Sequence, residues 1–595
     1  NWDFSLFDRA FKAGDKYGIK ILGNLFPATS FDDIGGFKFP RDEKHWNEIR
    51  EYIAKTVTHF KDYESLFGWV PVNEPGAPLP WNQSYTKNKF EEWKAITPLP
   101  ATTNGIRHFT FDREKFTLFY HPWFLRIMTE EIQKYDTEHA IHLNPAEIFL
   151  QAEMYEFADW RKFLTSLGGS AHAGWHFSYF IREQFAMAMS ANADFLRSGA
   201  KNLPWFMTEI QGGNNTYSAH TPMCPTAEEI AQWLWIVIGS GSKGALFWCL
   251  NPRSSGVEAG EWAMLDFQNN PSDRFITAAK IAQLVNDNEK LFSSTKYVNP
   301  NINVLYVKES MWVEEKLSRY ISDKQNDARQ KGGVIKSALG YFEALSQHGY
   351  NLNFGDINDF DFDAEDYLNH IVILSHQISI PSKHWSNLDN FVKRGGTLIV
   401  DGLTGFYNEN AVCLMNNDFP LKNLFGGEVS EFKHVDKLFD LDVSGQKLKT
   451  HLWQGTIIPH TGTVISRNNN QPTGIINNYG KGKVFWIPSP LGLGAKISKE
   501  YEPLLSIFEQ EFDNTGAFRF KKFHEGVLMK NIETSQGVIS VLINKNKEKQ
   551  TIELIGFEKY KPHRMLFQDK GGEIVSQNKV YIYPEETIVI DWRKK

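Results

Sequence analysis

The chain has 595 residues, is 42% hydrophobic and 23% charged, and carries a formal net charge of −7. That describes a multidomain globular protein. The mild negative charge, with no long charge run, argues against nucleic acid or an anionic membrane as partner. The three cysteines, Cys224, Cys249 and Cys413, form no CxxC pair, and no run of 18 apolar residues is present, so neither a zinc knuckle nor a transmembrane helix is expected.

Taken in order, Phe4, Phe7, Phe11 and Tyr17 fall at near-helical spacing and Gly18 stops the pattern. Residues 19–26 then read as a strand ending near Asn24, and a helix is expected around 45–61. The next run, Leu66 to Gly76, is apolar until it breaks off in Asn73-Glu74-Pro75-Gly76. An apolar run bounded in this way suits a strand buried on both faces of a parallel sheet, and Pro75 and Gly76 cannot continue the ladder. Glu74 is thereby delivered to a strand's C-terminal end, where (β/α)8 barrels build their active sites.

Residues 77–122 read as a long excursion, a lid or subsite wall. Strand five is expected at 140–147, where Asn144 and Glu147 are further candidates, and strand six at 173–180, bringing Trp175 and His176 to the mouth. Residues 202–213 repeat the earlier form, an apolar strand delivering Glu209 to a polar, Gly-rich loop. The interval between the two glutamates has room for three strand–helix units of roughly 40 residues, so they would face each other across one barrel. Strand eight is expected at 245–250, followed by a loop holding Arg253, Glu258 and Trp262, and a closing helix from about 273 to 291.

Asn73-Glu74-Pro75 on one strand and Glu209 on a later one resemble the clan A retaining glycoside hydrolases. The strand-eight region, 244–250 and then 256–266, is similar to that of glycoside hydrolase family 42, the β-galactosidases with a trimerisation domain. Family 164, the related β-mannosidases, is an equally good home, and Pro75 stands where family 42 usually carries Tyr. The resemblance implies that Glu74 is the acid/base on strand four and Glu209 the nucleophile on strand seven. Asn73 would contact the sugar 2-hydroxyl. Asn24, Trp175, His176, Trp248, Arg253, Glu258 and Trp262 are substrate-binding candidates, with Arg253 and Glu258 suited to the 4- and 6-hydroxyls. No metal or cofactor is expected, and the resemblance implies a homotrimer. Counting Glu74 onto strand four makes residues 19–26 strand three, so strands one and two are expected to lie before this sequence.

From 303 onward strands alternate with helices as in a doubly wound α/β domain, with an amidotransferase-like fold by resemblance. Residues 427–490 read as a β-rich insertion, and 516–595 as a small β-sandwich. The expected domains are a barrel at 1–295, an α/β trimerisation-like domain at 296–515 and the sandwich at 516–595. Cys413 lacks the strand-to-helix elbow an amidotransferase nucleophile needs, and there is no GxxxxGK[ST], helix-opening GxGxxG or HExxH.

The chemistry follows from the carboxylates. One must give a proton to the leaving oxygen while the other, ionised, attacks C1, with the pair roughly 5–5.5 Å apart for retention and ~6.5–9.5 Å for inversion. The leading expectation is a retaining exo-β-glycosidase on terminal β-galactosides or β-mannosides. An endo-acting polysaccharide hydrolase and an inactive carbohydrate-binding protein are the alternatives. A periplasmic or secreted bacterial location is favoured over the cytoplasm.

Overall fold

The structure is a computed structural model that describes residues 2–26, 39–76, 78–318, 327–416 and 418–595. The chain divides into two compact units, one of residues 1–171, 199–210 and 244–246, the other of 172–198, 211–243 and 247–595.

The first unit is built on short parallel strands. β1 (Ile21–Asn24), β2 (Leu66–Val70), β3 (Ala140–Leu143) and β4 (Ser166–Leu167) form one sheet in that order. After a two-residue break the chain re-enters as β5 (Ser170–Ala171), which pairs with β6 (Met207–Gln211), and β7 (Ala245–Trp248) follows. These are the parallel strands of a (β/α)8-type barrel, the strand expected as the sixth being split into β4 and β5. Helices Ser5–Tyr17, Glu43–Phe60 and Asp112–Gln133 belong to the same unit, the second opened by Asp42, whose carboxylate accepts the His45 N–H at 2.8 Å.

Strand six departs from expectation. It lies at 166–171, not 173–180, and Ala173–His176 is a short helical turn. The reason is steric. A Cβ on Gly168 would meet His142 Nε2 at 2.3 Å and Thr208 Oγ1 at 2.6 Å. The barrel interior is filled there by neighbouring side chains, so strand six is made of small residues and lacks the apolar run that marks the other strands. The excursion after β2 holds a helix, Ser84–Ile96, and a two-residue hairpin, Thr102–Thr103 with Ile106–Arg107. Ala77, at its start, lies outside the described residues.

In the second unit, Asn353–Asp356, Ile302–Tyr306, Ile371–Ser375, Thr397–Asp401 and Gly482–Ile487 are consecutive parallel strands of one sheet. Helices Gly333–Gln347 and Trp385–Lys393 connect them, giving the expected doubly wound pattern. The β-rich segment continues this sheet. Gln471–Tyr479 pairs antiparallel with Gly482–Ile487, and Thr463–Asn468, Phe439–Val443 and Gln446–Thr450 continue the same sheet to nine strands. Only Gly427–His434 and Trp453–Pro459 form a pair of their own. Residues beyond 515 form two antiparallel sheets around a core that includes Val538, Leu542, Ile588 and Trp592, a sandwich whose five-stranded sheet also takes in Lys296–Tyr297.

Two buried charged sites in this unit are fully partnered. Lys530 and Asp194 are both buried and bonded to each other, and the fully buried Glu343 accepts from Lys496, Tyr501 and Gln184. Such groups persist in a core only when paired and hydrogen-bonded. Helix Gly333–Gln347 lies so close to Leu491–Ser498 that a Cβ on Gly340 would sit 1.9 Å from the Gly492 carbonyl oxygen. Gly340→Ala is therefore expected to destabilise the protein by roughly 1–3 kcal/mol through forced separation of two helices. Thermal unfolding of the variant against the parent measures it.

Candidate active site

β2 packs close against β3 because of a glycine. A Cβ on Gly68 would meet the Ala140 carbonyl oxygen at 2.5 Å, so β2 and β3 can lie together only with glycine there. Trp69, buried behind them, donates its indole N–H to Asp136 at 2.8 Å, which also accepts from the backbone of Glu138 and His139 and so fixes the turn into β3. Regular pairing of β2 ends at Val70, earlier than expected. The Asn73 N–H still reaches the Phe26 carbonyl at 2.9 Å, and Glu74 then turns into the left-handed region at φ 46°. That turn resolves a difficulty in the sequence. In a regular strand Asn73 and Glu74 would point to opposite faces; past the strand end, with the backbone reversed in hand, both are half-buried. A left-handed glutamate is a strained residue, and such strain gathers at functional sites. Gly76 (φ 140°) follows, and Tyr155 would lie 2.7 Å from a Cβ there. The Tyr155 hydroxyl donates to the Ala146 carbonyl oxygen at 2.5 Å. Burial raises its pKa well above the ordinary value, and the nearby Glu74 adds to the shift.

Glu209 sits in the middle of β6, opposite Ser170 of β5, and is the one residue of its strand that is not fully buried. Between the two glutamates stands Asn144, 3% exposed, just past the end of β3. Its Oδ1 accepts the Glu74 N–H at 3.3 Å. Its Nδ2 donates to Asn73 Oδ1 at 2.7 Å and to Glu209 Oε1 at 3.1 Å. Both glutamates expected at the site are thus gathered about one side-chain amide. Asn24 ends β1 and is exposed.

Within the second unit, Glu258 Oε2 accepts from Arg253 Nη1 at 2.8 Å and from the Trp248 indole N–H at 3.2 Å, and the guanidinium lies 5.6 Å from the Trp248 ring centroid. These three candidates form one cluster. Trp262 does not offer a ring face. It is 0% exposed and packs on His172 at 5.0 Å. His176, on its helical turn, is also buried, its Nδ1 accepting the His172 N–H at 3.1 Å, while Trp175 is half-buried against His220. Trp262 and His176 are corrected from substrate ligands to packing residues, since a buried ring has no surface left for a sugar.

Sequence reasoning missed Glu261. Its carboxylate accepts the N–H groups of Thr216, Tyr217 and Ser218 at 2.8, 2.7 and 3.2 Å, and both the Thr216 and Ser218 hydroxyls. Tyr217, 96% exposed, is carried on the loop so pinned. No pattern in the sequence separates Glu261 from Glu258, since what distinguishes them is which loop folds over each. Among the described residues no three His, Cys, Asp or Glu side chains gather as metal ligands, and no helix is long and apolar enough to cross a membrane.

Burial would raise the Glu261 pKa, but the hydrogen bonds from Ser218, Thr216 and the backbone outweigh it and hold the group at about 2. A carboxylate whose pKa is lower folded than unfolded stabilises above its unfolded value, and that stability is lost as pH falls toward the folded value. Glu261→Gln should therefore destabilise at pH 6 by on the order of 3 kcal/mol. The gap to the parent should narrow steadily between about pH 4.5 and pH 2, as chemical denaturation across that range would read.

Known proteins resemble this chain along most of its length. The β-galactosidase family profile matches residues 43–287 and the β-galactosidase trimerisation domain matches 301–504. β-Galactosidase BgaA of Clostridium cellulovorans is 23% identical over 369 residues, 60% of this chain and 52% of that protein. The chain spans about half the length of the curated relatives it matches. Among solved structures, a catalytic mutant of Gan42B, a family 42 β-galactosidase from G. stearothermophilus, superposes with a TM-score of 0.79 at 15% identity, covering 100% of this chain and 91% of that one. An exo-β-1,4-mannosidase, Op5Man5 from an Opitutaceae bacterium, gives 0.59 at 13% identity over 87% and 86%. The two profiles together take in most of the chain, and by them it is a glycoside hydrolase resembling family 42.

Proposed function

We propose that the protein is a retaining exo-β-glycosidase that releases terminal hexoses from β-galactosides. The observation that carries this reading is the meeting of Glu74, from the end of β2, with Glu209, from β6, around the Asn144 amide. In the first step Glu209 attacks C1 and forms a C1–O bond. The glycosidic C1–O bond breaks, its electron pair goes to the leaving oxygen, and the Glu74 proton follows. In the second step Glu74 takes a proton from water, whose oxygen displaces Glu209 from C1. Asn73 contacts the 2-hydroxyl. Arg253 and Glu258 remain the proposed ligands of further hydroxyls. β-Mannosides are the second substrate class, supported by the fold likeness to the Opitutaceae mannosidase.

We read 1–295, 296–515 and 516–595 as catalytic barrel, trimerisation-like domain and sandwich, with a homotrimer in solution. A trimer mass by light scattering is the expected outcome, and a monomeric mass would refute it.

A panel of nitrophenyl β-glycosides, with the first-formed product anomer followed by NMR, tests the activity. Hydrolysis with retention on the galactoside is expected, and inversion would remove the double displacement. Glu209→Gln should abolish most of kcat on every substrate. Glu74→Gln should slow poor leaving groups roughly 100- to 10,000-fold while sparing those that depart without a proton.

A further inference from the structure

Asn144 belongs to neither glutamate's strand, yet it touches the groups at both. The orientation of its amide follows from its partners. A backbone N–H can be met only by an acceptor, so Oδ1 faces the Glu74 N–H, and Nδ2 is left to face Asn73 Oδ1 and Glu209 Oε1. One backbone N–H thereby sets the sense of the whole chain of hydrogen bonds. Both amide ends of Asn144 are in use, and the residue is buried, so its rotation would break bonds to both glutamates at once.

Resting on the glycosidase reading above, we infer that Asn144 is a positioning residue which couples the two carboxylates. It presents Glu209 to the anomeric carbon by holding Oε1. Through its Oδ1 it also holds the strained left-handed backbone of Glu74, which aims the acid/base side chain. Through its second N–H bond it turns the donor end of Asn73 away from itself and toward the space where the substrate's 2-hydroxyl belongs. The three bonds have different chemical demands. The Glu74 bond needs only an acceptor at position 144. The Asn73 and Glu209 bonds need a donor there.

That difference provides the test. Asn144→Asp keeps the size and the acceptor but replaces the donor with an oxygen that repels Glu209. Asn144→Ala removes both. In the parent, an activated 2-fluoro glycoside should label Glu209. In both variants, labelling and kcat on a nitrophenyl glycoside should fall by about 100-fold, the loss typical of reacting groups displaced by about an ångström. KM should stay within about threefold of the parent, because ground-state binding is not what is removed. The melting temperatures should match the parent's within a few degrees. Labelling of Asn144→Asp at the parent's rate would overturn the inference, leaving Asn144 as an acceptor or a filler of space. A loss confined to KM would make it a substrate contact instead. A fall in melting temperature as large for Asp as for Ala, with kcat restored on cooling, would make it a residue of the fold. A parent that takes up no label would overturn the glycosidase reading itself, and this role for Asn144 with it.

Discussion

A single buried amide, Asn144, is the constraint on which the site depends. Two carboxylates of one chain repel each other, and each loses hydration when brought into a cleft. They can be held together only by groups that donate to them or tie down their backbone. Asn144 does both, donating to Glu209 and accepting from the N–H of Glu74. Its own burial is permitted because both ends of its amide are bonded.

That amide is useful only where β2, β3 and β6 deliver their ends to one place. Gly68 lets β2 lie against β3, and Trp69, tied to Asp136, locks the turn that leads into β3. Gly168 leaves room in the interior for His142 and Thr208, and strand six is split at that point. The barrel therefore yields precise strand ends at the expense of regular strand six. The left-handed backbone of Glu74 is the other departure from regularity, and it lies where a side chain must be re-aimed.

The second unit meets the same electrostatic problem in its structural ties. Glu343, Glu261 and the pair Asp194–Lys530 are buried charges, and each is surrounded by donors or an opposite charge. In these places the partners come from segments far apart in sequence, so the carboxylates act as ties between loops, helices and strands. Glu261 ties the loop bearing Tyr217 in this way.

Much of this was legible from residue order alone. β2, β3, β6 and β7 are short runs cut off by polar or turn residues, and for β3 and β6 that local pattern follows from burial within a parallel sheet. It sufficed to place Glu74 beyond the end of one strand and Glu209 on another and to suggest what a pair of carboxylates could do. Strand six was misplaced to 173–180 because its true residues are small, whereas Trp175, His176 and Phe177 mimic a buried strand while forming a helical turn. That the β-rich segment after 427 extends the parallel sheet was not legible, because its pairing with Gly482–Ile487 is a non-local event that no local pattern encodes. Trp262 and Glu258 looked alike as loop candidates, and only the folded loops decided that one ring is sealed in the core and the other side chain meets Arg253. What residue order determined was which chemical groups the protein owns and which local elements carry them. Which groups meet depended on long-range packing, because a hydrogen bond between Asn144 and Glu209 exists only once three strands separated by scores of residues lie side by side.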